Sequence, residues 1–133
     1  MVKHKLNLLL TLLVFVGFIS IGLPDGLIGV AWPSMRGYFG LPIDALGRLL
    51  VSYTAGYLVS SFSWGRARMR FGVGALLALS CLATGASLIG YSIASQWWMV
   101  VSLAALAGVG AGAIDAGLNT YASTHFSVRM VNW

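Results

Sequence analysis

The feature that most restricts the fold of this chain is a series of long apolar runs with almost no charge inside them. The runs cover about residues 6–32, 45–64, 73–93 and 97–123. An apolar helix of about 20 residues crosses the roughly 30 Å hydrocarbon core of a bilayer. Only 8% of the residues are charged, against about 25% in a typical soluble domain. We therefore predict an all-α, polytopic membrane protein with four transmembrane helices.

The basic residues fall on alternating sides of these predicted helices. Lys3 and Lys5 precede the first run, three arginines lie within residues 66–70, and Arg129 follows the fourth run. Cytoplasmic segments of membrane proteins carry an excess of lysine and arginine. The pattern predicts a protein of the cell (plasma or inner) membrane with both termini cytoplasmic. The formal net charge of +5 is explained in this way, and no basic, aromatic surface indicates nucleic-acid binding.

A proline interrupts the first run within Gly22-Leu23-Pro24-Asp25-Gly26. Proline removes a backbone donor and clashes with the preceding helical turn, so we expect a kink, with Asp25 at the break. Gly22 and Gly26 form a small face that lets another helix approach closely. Two roles stay open for Asp25: a polar side chain that reaches the outer membrane interface, or a carboxylate that lines a solute path.

Asp115 lies in the tract GVGAGAIDAGLNTYA of residues 108–122. A charged aspartate within the bilayer costs at least about 2.5 to 3.5 kcal/mol on insertion scales. The neighbouring alanines and glycines compensate little of this, because they bury almost no side chain. The fourth helix should therefore lie inside a bundle, with Gly108, Gly112 and Ala116 as its close-packing row.

Asn119 follows Asp115 by one helical turn and lies on nearly the same face. A carboxylate and an amide stacked in this way suit the hydroxyl groups of a polar solute. Burial favours the neutral form of a carboxylate, so we predict that Asp115 takes and releases a proton, with Asn119 beside it on the solute path. The alternative is an interhelical hydrogen bond that only holds helices together.

Residues 65–72, GRARMRFG, resemble the loop between the second and third helices of major facilitator superfamily transporters. The signature there is a glycine, then an aspartate–arginine pair, one residue and a second glycine. Gly65, Arg70 and Gly72 match, whereas Met69 stands at the position of the aspartate. That aspartate helps to hold the two halves of such transporters together on the cytoplasmic side. This chain lacks the aspartate, so the same contact is in doubt here. The remaining basic residues of the motif, expected to set orientation or to contact lipid or helix ends, are Arg66 and Arg68.

The tract around Asp115 is similar to the fourth helix of fucose-permease-like and sodium-glucose-transporter-like members of that superfamily. In those proteins a glycine-rich run leads to an acidic residue, which is followed four residues later by asparagine. Asp115 and Asn119 fall on these two positions. The first run also resembles that branch, but Asp25 lies about one turn away from the acidic residue of fucose permeases, counted back from Pro33. That residue's role is therefore not carried over to Asp25.

The resemblance implies a transporter of twelve helices in two halves, with alternating access to a central site and no cofactor. Residues 1–133 would form an incomplete N-terminal half, whose partners are the missing C-terminal helices of the same transporter and the lipid bilayer. The expected cargo is a small polar solute with a coupling proton. Proton symport of a sugar is the expectation at branch level, while the identity of the solute and the direction of transport stay open.

Two other functions also stay open. One is a four-helix multidrug-type exporter built from several copies of the chain, although such exporters carry their key acidic residue early in the first helix. The other is a membrane scaffold subunit without transport, which would use the Gly22 and Gly108 faces for partner helices. An enzyme is not expected, because His4 and His125 lie near the ends and no nucleophile–base pair recurs at a useful spacing. The single cysteine excludes a cysteine-rich metal site.

Overall fold

The computed structural model describes residues 2–125, and every element in this range is an α-helix. The all-helical fold class is therefore confirmed. The helices are α1 (Val2–Phe39), α2 (Ala45–Phe71), α3 (Val73–Ile93) and α4 (Trp97–His125). Arg129 lies outside the described residues.

The first helix is longer than its apolar run. It spans Val2–Phe39 rather than about 6–32 and is continuous through Pro24, so the expected break in the helix is not found. Loss of one backbone hydrogen bond at a proline does not by itself end a membrane helix. The side chain of Asp25 lies outside the described part of the structure. The chain leaves α1 at Gly40, whose φ of 61° is in the left-handed region that favours glycine.

Residues 65–71, which the sequence predicts as a loop, form the last turns of α2. Arginine, alanine and methionine are good helix formers, and none of these residues stops the helix. Gly72 ends it, with a φ of 79°, and its N–H donates to the carbonyl oxygen of Arg68 at 3.0 Å. A side chain at such a φ is disfavoured. One glycine therefore joins α2 to α3.

The fourth helix is the centre of the bundle. It contacts α2 most extensively, then α3, and α1 least. Small side chains allow this close packing, and most of the buried hydrophobic residues belong to α4, namely Val100, Ala104, Ala107, Ala111, Ala113 and Leu118. The central position agrees with the need to keep Asp115 away from lipid.

The outer faces of the helices are apolar. Val30 is 81% exposed, Phe62 85% and Leu82 69%. Among the described residues, the helical segments Val73–Ile93 and Trp97–Tyr121 are long and apolar enough to cross a membrane. Soluble monomers rarely expose large contiguous apolar patches, so these surfaces suit a lipid environment.

Candidate functional site

The candidate site is built around the carboxylate of Asp115, where α4 faces α2. Tyr57 on α2 donates from Oη to Asp115 Oδ2 at 2.5 Å. Asn119, one turn later on α4, donates from Nδ2 to Asp115 Oδ1 at 3.2 Å. Asp115 is half-buried and Asn119 is exposed. Each carboxylate oxygen thus accepts a hydrogen bond from the chain, and the side that carries Asn119 is open.

Glycines on α4 bring its backbone against α2 beside this carboxylate. A β-carbon added to Gly108 would collide with the carbonyl oxygen of Tyr53, and one added to Gly112 would collide with that of Tyr57. These two contacts are one turn apart on both helices. Absence of side chains at such positions lets helix backbones touch. Tyr57 therefore meets α4 through its backbone as well as through its hydroxyl group.

The α2 side of the contact is built in the same way. A β-carbon on Gly56 would collide with the backbone of α4. Two serines of α2 add hydrogen bonds across the contact: Ser52 Oγ donates to the carbonyl oxygen of Val101 at 2.9 Å, and Ser61 Oγ donates to that of Gly112 at 3.3 Å. Bonds from polar side chains between membrane helices are typically worth about 0.6 kcal/mol each, so close backbone packing carries most of this interface.

A second pair of glycines packs another face of α4. A β-carbon on Gly110 would lie 2.8 Å from the carbonyl oxygen of Ser80 on α3. A β-carbon on Gly117 would lie 2.8 Å from Trp64 Cη2 and 2.9 Å from Leu77 Cδ2. The helix is therefore enclosed by α2 and α3 at positions where larger residues do not fit.

The other predicted site residues lie apart from Asp115. Nothing lies within 4 Å of a β-carbon built on Gly22 or Gly26, so neither glycine packs against a described residue. The basic residues of the motif, all exposed on the last turns of α2, are Arg66, Arg68 and Arg70. The guanidinium of Arg70 lies 5.7 Å from the ring centroid of Phe71. The structure therefore brings together Asp115 and Asn119 but adds neither the arginines nor the first glycine pair to them.

An apolar cavity of about 100 Å³ lies between all four helices and is separate from the carboxylate. The hydroxyl of Tyr91 is buried and lacks a hydrogen-bond partner among the described residues. The lining comes from Leu27, Ile28, Ala31, Met35, Leu49, Tyr53, Thr84, Leu88, Tyr91 and Ala107. Apart from its few hydroxyl groups, this lining is apolar and offers little to a polar solute.

The chemistry that the structure shows at Asp115 is hydrogen bonding. A carboxylate, a phenol and an amide can hold hydroxyl groups in a fixed geometry. Within residues 2–125, no group of three or more histidine, cysteine, aspartate or glutamate residues could hold a metal ion.

Sequence reasoning did not identify Tyr57 or Gly56. The α2 residues that contact α4 recur at helical spacing and are small or polar, namely Ser52, Tyr53, Gly56, Tyr57 and Ser61. This stripe is the signal that could have identified the α4-facing side of α2, because lipid-facing positions of a membrane helix are usually large and apolar.

A family model described as Major Facilitator Superfamily matches residues 14–131. The matched range includes Tyr57, Asp115 and Asn119. Neither the curated proteins nor the solved structures gave a match to the chain.

Proposed function

This chain belongs to the major facilitator superfamily, and on that premise we propose that it forms part of a secondary active transporter for a small polar solute. All four helices cross the cell membrane in this proposal, with both termini cytoplasmic. Transporters of this kind alternate the access of a site near the bilayer midplane. Further helices, C-terminal to these four, would complete the fold and the walls of the solute path.

The hydrogen-bonded carboxylate of Asp115 in the central helix is the observation that supports this function most directly. Ionisable residues inside membrane helices commonly mark solute or proton pathways. Tyr57 and Asn119 each donate to one of the two Asp115 oxygens, so the carboxylate is held in a defined orientation. We assign the coupling proton to Asp115 and keep Asp25 as a second candidate on the pathway.

Coupling requires that the solute bind one protonation state of Asp115 better than the other. By linkage, the proton then affects solute affinity to the same degree as the solute affects proton affinity. A solute that binds the protonated form better crosses together with the proton, which is the symport that we propose. A sugar is the solute class that we propose, since its hydroxyl groups both donate to a carboxylate and accept from an amide.

The test is solute uptake by the transporter that contains this chain, reconstituted in proteoliposomes. Asp115→Asn keeps the size and polarity of the side chain but cannot exchange a proton. We expect it to lose accumulation driven by a proton gradient while it retains exchange of solute across the membrane without a gradient. Asp44→Asn is the matched control, because Asp44 lies at the exposed start of α2 and its side chain makes no capping hydrogen bond. Unchanged proton-driven uptake in Asp115→Asn would exclude the coupling role.

A membrane scaffold is the second candidate function. It is favoured by the open space beside Gly22 and Gly26, which leaves one face of α1 available to a partner helix. Such a protein would bind its partner normally after Asp115→Ala and would show no solute flux. A multidrug-type exporter assembled from identical chains would instead give a stable homo-oligomer in detergent and drug-driven proton exchange.

A further inference from the structure

We infer that Tyr57 is a positioning residue of the Asp115 site, and that the arrangement selects neutral solutes that donate hydrogen bonds. This inference rests on the proposed transport function. It adds a residue from a second helix to the site and argues the polyhydroxylated class of solute, already proposed, from the hydrogen-bonding groups that face the open side.

The position of Tyr57 is fixed by packing rather than by its hydroxyl group alone. Its carbonyl oxygen lies where a β-carbon of Gly112 would be, and Ser61, one turn later, donates to the carbonyl oxygen of Gly112 at 3.3 Å. The ring therefore starts from a backbone that cannot move away from α4 without breaking these contacts. The phenol is a preorganised donor, and it holds Asp115 Oδ2 at 2.5 Å.

The groups left on the open side are mostly hydrogen-bond acceptors. A carboxylate has about four lone-pair sites, of which Tyr57 and Asn119 each use one. Asn119 donates one of its two amide N–H groups to Asp115, and its amide oxygen stays available as an acceptor. A solute at this site therefore meets several acceptors, which are the remaining lone pairs of the Asp115 carboxylate and the amide oxygen of Asn119. The donor that these two side chains still offer is the second amide N–H of Asn119.

Acceptors that face the open side favour solutes with hydroxyl or ammonium groups and disfavour carboxylates and phosphates. The charge of the solute distinguishes the hydroxyl compounds from the ammonium compounds. An ammonium ion and a proton would compete for the same carboxylate, so solute and proton would cross the membrane in opposite directions, which is antiport. A neutral polyol can donate to Asp115 while the proton is also bound, which gives movement together. If Asp115 couples by symport, as proposed above, the polyol is the class that fits both the acceptors and the direction of coupling.

Loss of the phenol would leave Asp115 Oδ2 without its fixed donor. The carboxylate could then rotate, and its acceptors would no longer hold one geometry for the solute. Tyr57→Phe removes the hydroxyl group and keeps the ring, so packing against α4 is preserved. Tyr38→Phe is the matched control, because it makes the same chemical change at an exposed residue near the end of α1.

The experiment has two measurements on the purified transporter that contains these helices. The first is the infrared carboxyl band of Asp115, isolated by subtracting the spectrum of Asp115→Asn in each background. The second is uptake by proteoliposomes from a mixture of neutral hexoses and pentitols, primary amines, and short carboxylates, with the contents identified by mass spectrometry.

We expect the band to shift in Tyr57→Phe and to stay in place in Tyr38→Phe. Polyols should be the accumulated class, and Tyr57→Phe should lower their uptake at limiting concentration by about tenfold, the factor expected for one hydrogen bond to a charged group. An unshifted band together with normal polyol uptake would refute the positioning role and leave the proposed transport function intact. Preferred accumulation of amines or carboxylates would overturn the assigned solute class. A shifted band without accumulation of any class would retain the positioning role and refute transport.

Discussion

The hydroxyl oxygen of Tyr57 on α2 lies 2.5 Å from the carboxylate oxygen Oδ2 of Asp115 on α4, although the two residues are 58 positions apart in the sequence. Their contact depends on Gly112, since any side chain there would push the backbone of Tyr57 away from α4. Helix packing and site geometry are therefore set by the same backbone contact.

A double-mutant cycle should detect the hydrogen bond between Tyr57 and Asp115. We expect Tyr57→Phe and Asp115→Ala, each of which removes the bond, to be coupled by about 1 to 2 kcal/mol in the free energy of unfolding, because the bond joins two helices and has a carboxylate as its acceptor. The measurement is unfolding of the detergent-solubilised protein followed by circular dichroism. Additive effects of the two substitutions would contradict a direct bond.

Two glycines of α2 should respond differently to the same substitution. Gly56→Ala should reduce the free energy of unfolding by about 1 to 3 kcal/mol, because the added methyl group collides with the backbone of Ala105. Gly47→Ala meets nothing within 4 Å, so it should be neutral or add up to about 1 kcal/mol through better helix propensity. Thermal melts of both variants in the same detergent compare them. Equal melting temperatures would show that α2 does not touch α4 at Gly56.

Gly72→Ala should destabilise the connection between α2 and α3. With φ 79° and ψ 158°, Gly72 occupies a region that is almost restricted to glycine, and a side chain there costs about 1 to 3 kcal/mol. Gly74→Ala is the control, because a β-carbon on Gly74 has open space and the residue is helical. The melting temperature should fall only for Gly72→Ala, and a similar fall for both would point to a requirement at the start of α3 instead.

Cysteine labelling tests the membrane placement of α3. Cys81 is exposed on this helix, between Val73 and Ile93, so in a bilayer its thiol should face lipid. We expect a charged maleimide to leave Cys81 unlabelled in intact vesicles and to label it after denaturation in detergent. In a Cys81→Ser background, Ser95→Cys should react from the outer side and Arg68→Cys from the cytoplasmic side. Fast labelling of Cys81 in intact vesicles would place α3 outside the membrane.

The sequence identifies features of this protein that depend on local pattern. Apolar runs locate the helices, and glycine at spacing four predicts the close row of α4, where Gly108 and Gly112 do lie against the backbone of α2. The adjacency of Asp115 and Asn119 follows from helical spacing alone, and their hydrogen bond is present.

Features that depend on contacts between distant segments were not accessible in the same way. Nothing local to Tyr57 indicates that its hydroxyl reaches Asp115, because that distance is set by how closely two backbones approach. The end of α2 was misplaced for a different reason. The arginines at residues 66–70 mark where the apolar run ends, and the helix was predicted to end with that run. It continues to Gly72, where the backbone leaves the helical conformation.

The small residues on the α2-facing side of α4 repeat every four positions, as Ala104, Gly108, Gly112 and Ala116. A displacement of α4 along α2 by four residues, about 6 Å, would bring the β-carbon of Ala104 or Ala116 against a carbonyl oxygen that now faces a glycine. The same displacement would separate Tyr57 from Asp115. The two glycines and the carboxylate therefore select one and the same register of α4 against α2.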